Sequence, residues 1–326
     1  MPSVILDADG VFLSERPYWN AALATALLRA GLAETVGDGW EVLAEAAFGA
    51  VGLQRVTKAR GCNSNWDLAA ALDLALSRRA ARDALRQLLA AGRGPEAMER
   101  LRDEAASLAR PAAASGDVLL EAFGIDRRGS GYAEVVGDYQ RVLRGEAEVA
   151  WPFPRVALRE PHAETRAAFA RCVEAGYDLR VCTGRHREEI DGPIHQLGLR
   201  DLLPPEKVTS GTEVDRAQVL TGERSLAKPH WFPPACAAEG FDRAVRAVRG
   251  EVFEQSRGSA VYVGDAWADW EAVRAARHMG LRLHYIHVRS PAATTDQQRA
   301  IARAPGTLGV VDGLGEVAGL LPGAEA

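Results

Sequence analysis

The chain is short of cysteine, of basic runs and of long apolar stretches, and each shortage removes a class of function. Four cysteines in 326 residues (Cys62, Cys172, Cys182 and Cys236) are scattered, with no C-x-x-C pair. This spacing indicates neither a disulfide framework nor a thiolate zinc site, and buried thiols in a reducing, cytoplasmic compartment are expected. Lys and Arg number 39 against 44 Asp and Glu, a formal net charge of −5. With no long basic run, nucleic acid is not expected as a partner. No apolar stretch approaches the roughly 20 residues that cross a bilayer, so no membrane partner is expected either. The N-terminus runs directly into a short apolar segment with an acidic end, which is the pattern of neither a signal nor a transit peptide. What remains is 47% apolar and 25% charged residues, an ordinary balance for a chain that buries a sizeable core. The length suggests about two domains.

The pattern changes along the chain. Val4, Ile5 and Leu6 read as a buried strand. From about Pro17 the spacing becomes helical: Trp19, Ala22, Leu23, Ala26 and Leu27 share one face, as do Met98, Leu101, Ala105 and Leu108, and Tyr132, Val135, Val136, Tyr139, Val142 and Leu143. No strand pattern stands out between about 17 and 145. Pro152 and Pro154 in "WPFPRV" break the helical run and mark a linker. Beyond it, strand and helix patterns alternate. Thr165, Ala168, Phe169, Cys172 and Val173 make a helix face, and "YDLRVC" a strand. "EEIDGPIHQLG" is a helix and "KVTS" a short strand. "GFDRAVRAVRGEVF" is a helix, "AVYVG" a strand, "DWEAVRAARHMG" a helix and "LRLHYIHV" a strand. Alternation of this kind predicts an α/β protein: a Rossmann-like, three-layer core whose parallel sheet is covered on both faces. The opening strand joins that sheet. The expected division is a core of residues 1–14 and 152–326 and an inserted all-helical domain of residues 15–151.

In open α/β sheets the ligand crevice lies beyond the carboxyl ends of the strands, so the residues following each apolar run matter. "VIL" is followed by Asp7 and Asp9 in "DADGV"; "LRVC" by Thr183, Gly184 and Arg185; "AVYVG" by Asp265 and Asp269; and Lys228 precedes Pro229 in "SLAKPHW". Singly, each has an ordinary explanation. Asp and Gly are turn residues, Thr183 and Asp269 can cap helices, and lysines are mostly solvated. Together, in this order and at matching strand ends, they point to one site.

On these residues the chain resembles the haloacid dehalogenase-like superfamily of phosphohydrolases. "DADGV" is similar to its first motif, "VCTGR" to its second, "AKP" to its third and "GDAWAD" to its fourth. The motif-bearing stretches cover residues 1–13 and about 155–315. The helical insertion directly after the first motif resembles the cap of the C1 subgroup, and "GCNSNWD" within it resembles phosphoglycolate-phosphatase-like members.

The chemistry follows from the residues. Asp7 is placed to attack phosphorus and form an aspartyl-phosphate. Asp9 is placed to protonate the departing alkoxide and then deprotonate water, a role typically worth about 10²–10⁴-fold. Asp7, Asp265 and Asp269 gather negative charge that would repel a phosphate unless a hard cation such as Mg²⁺ lies among them. The resemblance adds the Asp9 main-chain carbonyl as a ligand and makes Asp265 a direct one, leaving Asp269 either direct or acting through water. Thr183, Gly184 and the free N–H groups at the following helix start are expected at the phosphate, with Lys228 as a compact positive charge. Arg185 has two readings, a substrate contact or a solvated first-turn arginine. In the helical domain Asn63 and Asn65 are candidates for the leaving group, with helix capping as the alternative.

The expected function is thus a Mg²⁺-dependent phosphatase of a small soluble phosphate monoester, acting as a monomer or homodimer. A phosphomutase or phosphotransferase on a sugar phosphate would use the same residues. A non-catalytic binding or regulatory protein on this fold is a third reading. A dehalogenase or a phosphonate hydrolase fits less well, because Asp9 suits an oxygen leaving group.

Overall fold

The computed structural model describes residues 1–54, 65–108, 129–147, 151, 153–251, 253, 258–290 and 293–323. The chain divides into two compact units, one of Met1–Ser14 with Leu158–Ala326 and one of Glu15–Ala157.

The first unit is built on a six-stranded sheet with the order β3-β2-β1-β4-β5-β6. The strands are β1 (Ser3–Leu6), β2 (Asp178–Cys182), β3 (Val208–Thr209), β4 (Ala260–Gly264), β5 (Leu283–Val288) and β6 (Thr307–Val311). All the pairings are parallel. A parallel sheet must be covered on both faces, and strands buried on both sides read as continuous apolar runs. β1 shows why: Val4 and Leu6 enter one apolar layer with Val181, Val263 and Phe169, while Ile5 enters the other with Tyr262, Tyr285 and Phe232. Side chains alternate between the faces with a period of two, so both need to be apolar. The strand order reverses direction between β1 and β4, which is the topological switch point where α/β proteins bind ligands. This places the ends of those two strands, and so Asp7 and Asp265, at the crevice.

Several elements differ from the sequence expectation. β6 was absent from it, because four of its five residues are half-buried and it lies at the sheet edge. The helix Phe232–Glu239 was also absent; it opens with Pro233 and Pro234, which its first turn tolerates, and it is buried on nearly all sides. A helix without a polar face carries no amphipathic stripe. The single helix expected over "GFDRAVRAVRGEVF" is shorter, Phe241–Val248. In the helix His162–Glu174, Thr165, Ala168, Phe169 and Cys172 are buried as expected. Val173 is 48% exposed, because it lies about 100° round the helix from Cys172.

Among its described residues the elements of the second unit are all helices. The helix Arg16–Arg29 packs against Asn65–Ser77 and Ser130–Arg144. Its buried face includes Trp19, Ala22, Leu23, Ala26 and Leu27, and the last of these helices adds Val135, Tyr139 and Val142. Arg29 ties the three together through Asp73 at 2.9 Å and Asp138 at 2.6 Å. Trp151 stacks on Trp40 with ring centroids 4.5 Å apart. Phe153 packs on the same ring, and Arg155 donates to the Val142 carbonyl. These contacts draw Trp151, Phe153 and Arg155 into the helical unit, whose last residue is Ala157 where the sequence suggested Trp151.

Candidate active site

The site grows from the turn that ends β1. The Asp7 N–H still pairs with the Val263 carbonyl at 2.8 Å, so β1 and β4 remain in register up to the first acid. The chain then folds back: the Phe12 and Leu13 N–H groups both donate to the Ala8 carbonyl, and Gly10 donates to that of Leu13. Gly10 has φ +74°, and a Cβ there would lie 2.0 Å from Asp265 Oδ2. Glycine is needed both for the backbone conformation and for the approach of the Asp265 carboxylate. Arg159 braces this turn from outside, donating to the carbonyls of Gly10, Arg289 and Asp312.

Asp7, Asp265 and Asp269 each offer a carboxylate oxygen within 4.8 Å of the others, and all three residues are buried. Lys228 stands among them. Its Nζ is 2.8 Å from Asp7 Oδ1, 2.8 Å from Asp269 Oδ1 and 3.0 Å from the Cys182 carbonyl. Burial alone would pull Lys228 down, but Asp269 and Asp7 hold it well above the ordinary lysine value. Burial pushes Asp7 up to about 7; Lys228 opposes this, and Asp269 and Asp9 add to it. Asp269 is the third helical residue of Trp267–His278, and its Oδ2 accepts the Ala266 N–H at 3.1 Å. It therefore helps cap its helix, from the third helical position and not as the N-cap residue, and it also anchors Lys228. Both of its carboxylate oxygens are thus engaged within the protein.

Thr183 is buried, and its N–H pairs with the Thr209 carbonyl at 2.9 Å. It does not cap the next helix, because Arg187–Gln196 has His186 at its N-cap position. The expectation that this helix start offers free N–H groups holds only in part, since two of these groups are engaged. The His186 N–H donates to Glu189 Oε2 and the Arg187 N–H to Thr212 Oγ1, because the turn packs on the neighbouring Ser210 loop. Among the described residues the N–H groups of Gly184 and Glu188 have no hydrogen bond, leaving them, with the Thr183 hydroxyl, as donors available to an anion.

Asp9 and Arg185 meet. Arg185 Nε is 2.8 Å from Asp9 Oδ2, and Nη2 is 2.6 Å from Oδ1. Arg185 is thus no solvated first-turn arginine: its side chain is only 10% exposed. Asn65 begins the helix Asn65–Ser77 in the helical unit, and Asn63 lies outside the described residues.

Two further residues touch the acids. Tyr262 lies in β4, and its hydroxyl is 3.3 Å from Asp269 Oδ1 and 3.2 Å from the Cys182 carbonyl. An apolar strand context hides it in the sequence. Ser290 Oγ donates to Asp265 Oδ2 at 2.5 Å. It stands two residues beyond β5, so the strand-end rule would have found it had it been extended to that strand.

Three buried carboxylates held beside a single lysine form an oxygen donor set with surplus negative charge, and that set fits a small hard divalent cation. The parallel sheet brings the acids to its switch point, with Thr183 at the end of the neighbouring strand β2 and Lys228 reaching in from a loop. No protein-family model matches the chain, and no curated protein matches it. Solved structures do. A Northeast Structural Genomics Consortium target is 18% identical over 98% of each chain, with a TM-score of 0.65; this is a likeness of fold. A dehalogenase is 15% identical over 98% of this chain and 97% of its own, with a TM-score of 0.41. A HAD family hydrolase from Deinococcus radiodurans R1 is 18% identical over 68% and 83%, with a TM-score of 0.37. The last two are too remote to support any inference. Among the described residues no helix is long and apolar enough to cross a membrane.

Proposed function

We propose that the protein is a phosphatase that hydrolyses small phosphate monoesters through an aspartyl-phosphate on Asp7, with Mg²⁺ as cofactor. One observation carries this reading: Asp7, Asp265 and Asp269 converge at the β1/β4 switch point with Lys228 bonded to two of them. Asp7, Asp265 and the Asp9 main-chain carbonyl are the residues to hold Mg²⁺, with Asp269 supporting from behind. The ion would supply positive charge to the nucleophile and the phosphate oxygens.

Phosphoryl transfer depends mainly on positioning and charge neutralisation. Thr183 Oγ1 and the Gly184 N–H bind the phosphoryl oxygens, and Lys228 neutralises them while orienting Asp7. Asp7 attacks phosphorus, and the ester oxygen departs with a proton from Asp9. Asp9 then takes a proton from water, whose oxygen bonds to phosphorus; the phosphorus–Asp7 bond breaks and its electron pair returns to Asp7. The helical unit selects the substrate, with Asn63 and Asn65 as its candidate contacts.

The test is phosphate release from a panel of esters, with and without Mg²⁺. Wild type is expected to turn over at least one ester only with the ion, and Asp7→Asn is expected to release none. Undiminished release by Asp7→Asn would remove Asp7 as nucleophile.

A further inference from the structure

Asp9 stands outside the cluster of three carboxylates, and one guanidinium takes both of its oxygens, at 2.8 and 2.6 Å. The partners lie 176 positions apart in the chain and come from the ends of neighbouring strands. Exposed pairs between long side chains sample many geometries and contribute little. This pair is different: the planar fork of an arginine meets both carboxylate oxygens, which sets the rotation of the carboxylate as well as its place. Among the described residues no other hydrogen bond reaches the Asp9 carboxylate.

The fork is itself anchored through its backbone. The Arg185 N–H donates to Thr183 Oγ1 at 3.2 Å, and its carbonyl accepts the Gly211 N–H at 2.6 Å. A Cβ at Gly211 would lie 2.7 Å from the Gly184 carbonyl oxygen, so the two turns approach as closely as they do only because residue 211 has no side chain. The phosphate-binding turn and the arm that grips Asp9 are one rigid piece.

An acid–base group works only if an oxygen lies within hydrogen-bond reach of the reacting atom, and misplacement by about 1 Å can cost about 10²-fold. We infer that Arg185 is the positioning residue of Asp9. It aims the carboxylate that moves protons, and it acts on the reaction through that carboxylate. This inference rests on the phosphatase reading above.

The test compares wild type, Arg185→Ala, Arg185→Lys, Asp9→Asn and the Asp9→Asn/Arg185→Ala double variant. The probes are glycerol phosphate, whose alkoxide needs a proton to leave, and para-nitrophenyl phosphate, whose nitrophenolate does not. With glycerol phosphate, Arg185→Ala is expected to lower kcat about 10–100-fold, within the range of a positioned acid–base group, with KM unchanged within about threefold. First-turnover nitrophenolate release is expected to stay within about threefold of wild type. The double variant is expected to lose no more than Asp9→Asn alone, as residues acting as one unit do. Lysine keeps the charge without the fork, so Arg185→Lys is expected to show the same dependence on the leaving group. It also carries the test if the alanine variant does not fold.

A tenfold rise in KM with kcat preserved would make Arg185 a substrate contact and overturn the inference. Equal losses with both probes, or additive losses in the double variant, would also overturn it. If wild type turns over and Arg185→Ala matches it, the inference alone fails. If wild type releases no phosphate from any ester, the phosphatase reading fails and the inference fails with it.

Discussion

Replacing Asp7 by Asn probes the electrostatics of the site without any substrate. Asp7 is buried and lies 2.8 Å from Lys228. Even so, burial, with Asp269 and Asp9 adding to it, pushes Asp7 from its ordinary 3.8 up to about 7. Between those two values the folded protein keeps a proton that the unfolded chain has released. The folded state then binds more protons, so stability falls as pH rises through the window, and the full cost is present above it. At about 1.36 kcal/mol per unit, the cost is on the order of 4 kcal/mol. The pull of Lys228 is already inside that net value, and Lys228 keeps Asp269 as a partner in the variant. With a metal chelator present, Asp7→Asn should therefore be more stable than wild type at pH 8. The advantage should shrink steadily and vanish near pH 4. Added Mg²⁺ should stabilise wild type at pH 8 and the variant much less, since a ligand that binds only the folded state stabilises it by mass action. Guanidinium chloride unfolding at several pH values reads both effects. A wild type more stable than Asp7→Asn at pH 8 in chelator, or a difference that does not change with pH, would refute the reasoning.

Other perturbations bear on neighbouring parts of the structure. His287 is buried in β5, and burial pushes it down to about 4; Asp269 opposes this, and Arg289 and Arg159 add to it. It is neutral when folded but gains a proton when unfolded below about 6.5, so its contribution to stability is present above that pH and is lost as pH falls towards 4. His287→Leu should flatten that acid loss in unfolding curves between pH 6.5 and 4; an unchanged slope would count against it. Gly10→Ala places a Cβ against Asp265 at φ +74°, and should cost at least about 1–2 kcal/mol and weaken Mg²⁺ binding by calorimetry. Binding at wild-type strength would show that the close approach is unimportant. Trp151→Ala removes the ring stacked on Trp40 and should destabilise the helical unit by about 3–5 kcal/mol, seen as an earlier loss of helical circular dichroism. A shift under about 1 kcal/mol would place Trp151 outside the core of that unit.

The sequence alone determined the kind of sheet and which residues gather at its edge. Apolar runs such as "VIL" and "AVYVG" must be buried on both faces, alternation with helices makes the sheet parallel, and a parallel sheet presents the carboxyl ends of its strands on one side. Asp7, Thr183 and Asp265 were legible because they follow such runs, and Lys228 because it precedes Pro229. Elements without a periodic signature, such as the edge strand Thr307–Val311 and the all-round-buried helix Phe232–Glu239, were not legible, since their pattern depends on what surrounds them.

Tertiary structure decided the pairings. Nothing local in "TGR" says that Arg185 will grip Asp9 across 176 positions, or that Asp269 will hold Lys228 while capping its own helix. Nor could "DADG" show that Gly10 makes room for Asp265. Ion pairs and close approaches join residues distant along the chain, and only the packed sheet, which sets strand order and register, brings their side chains within a few ångströms of one another.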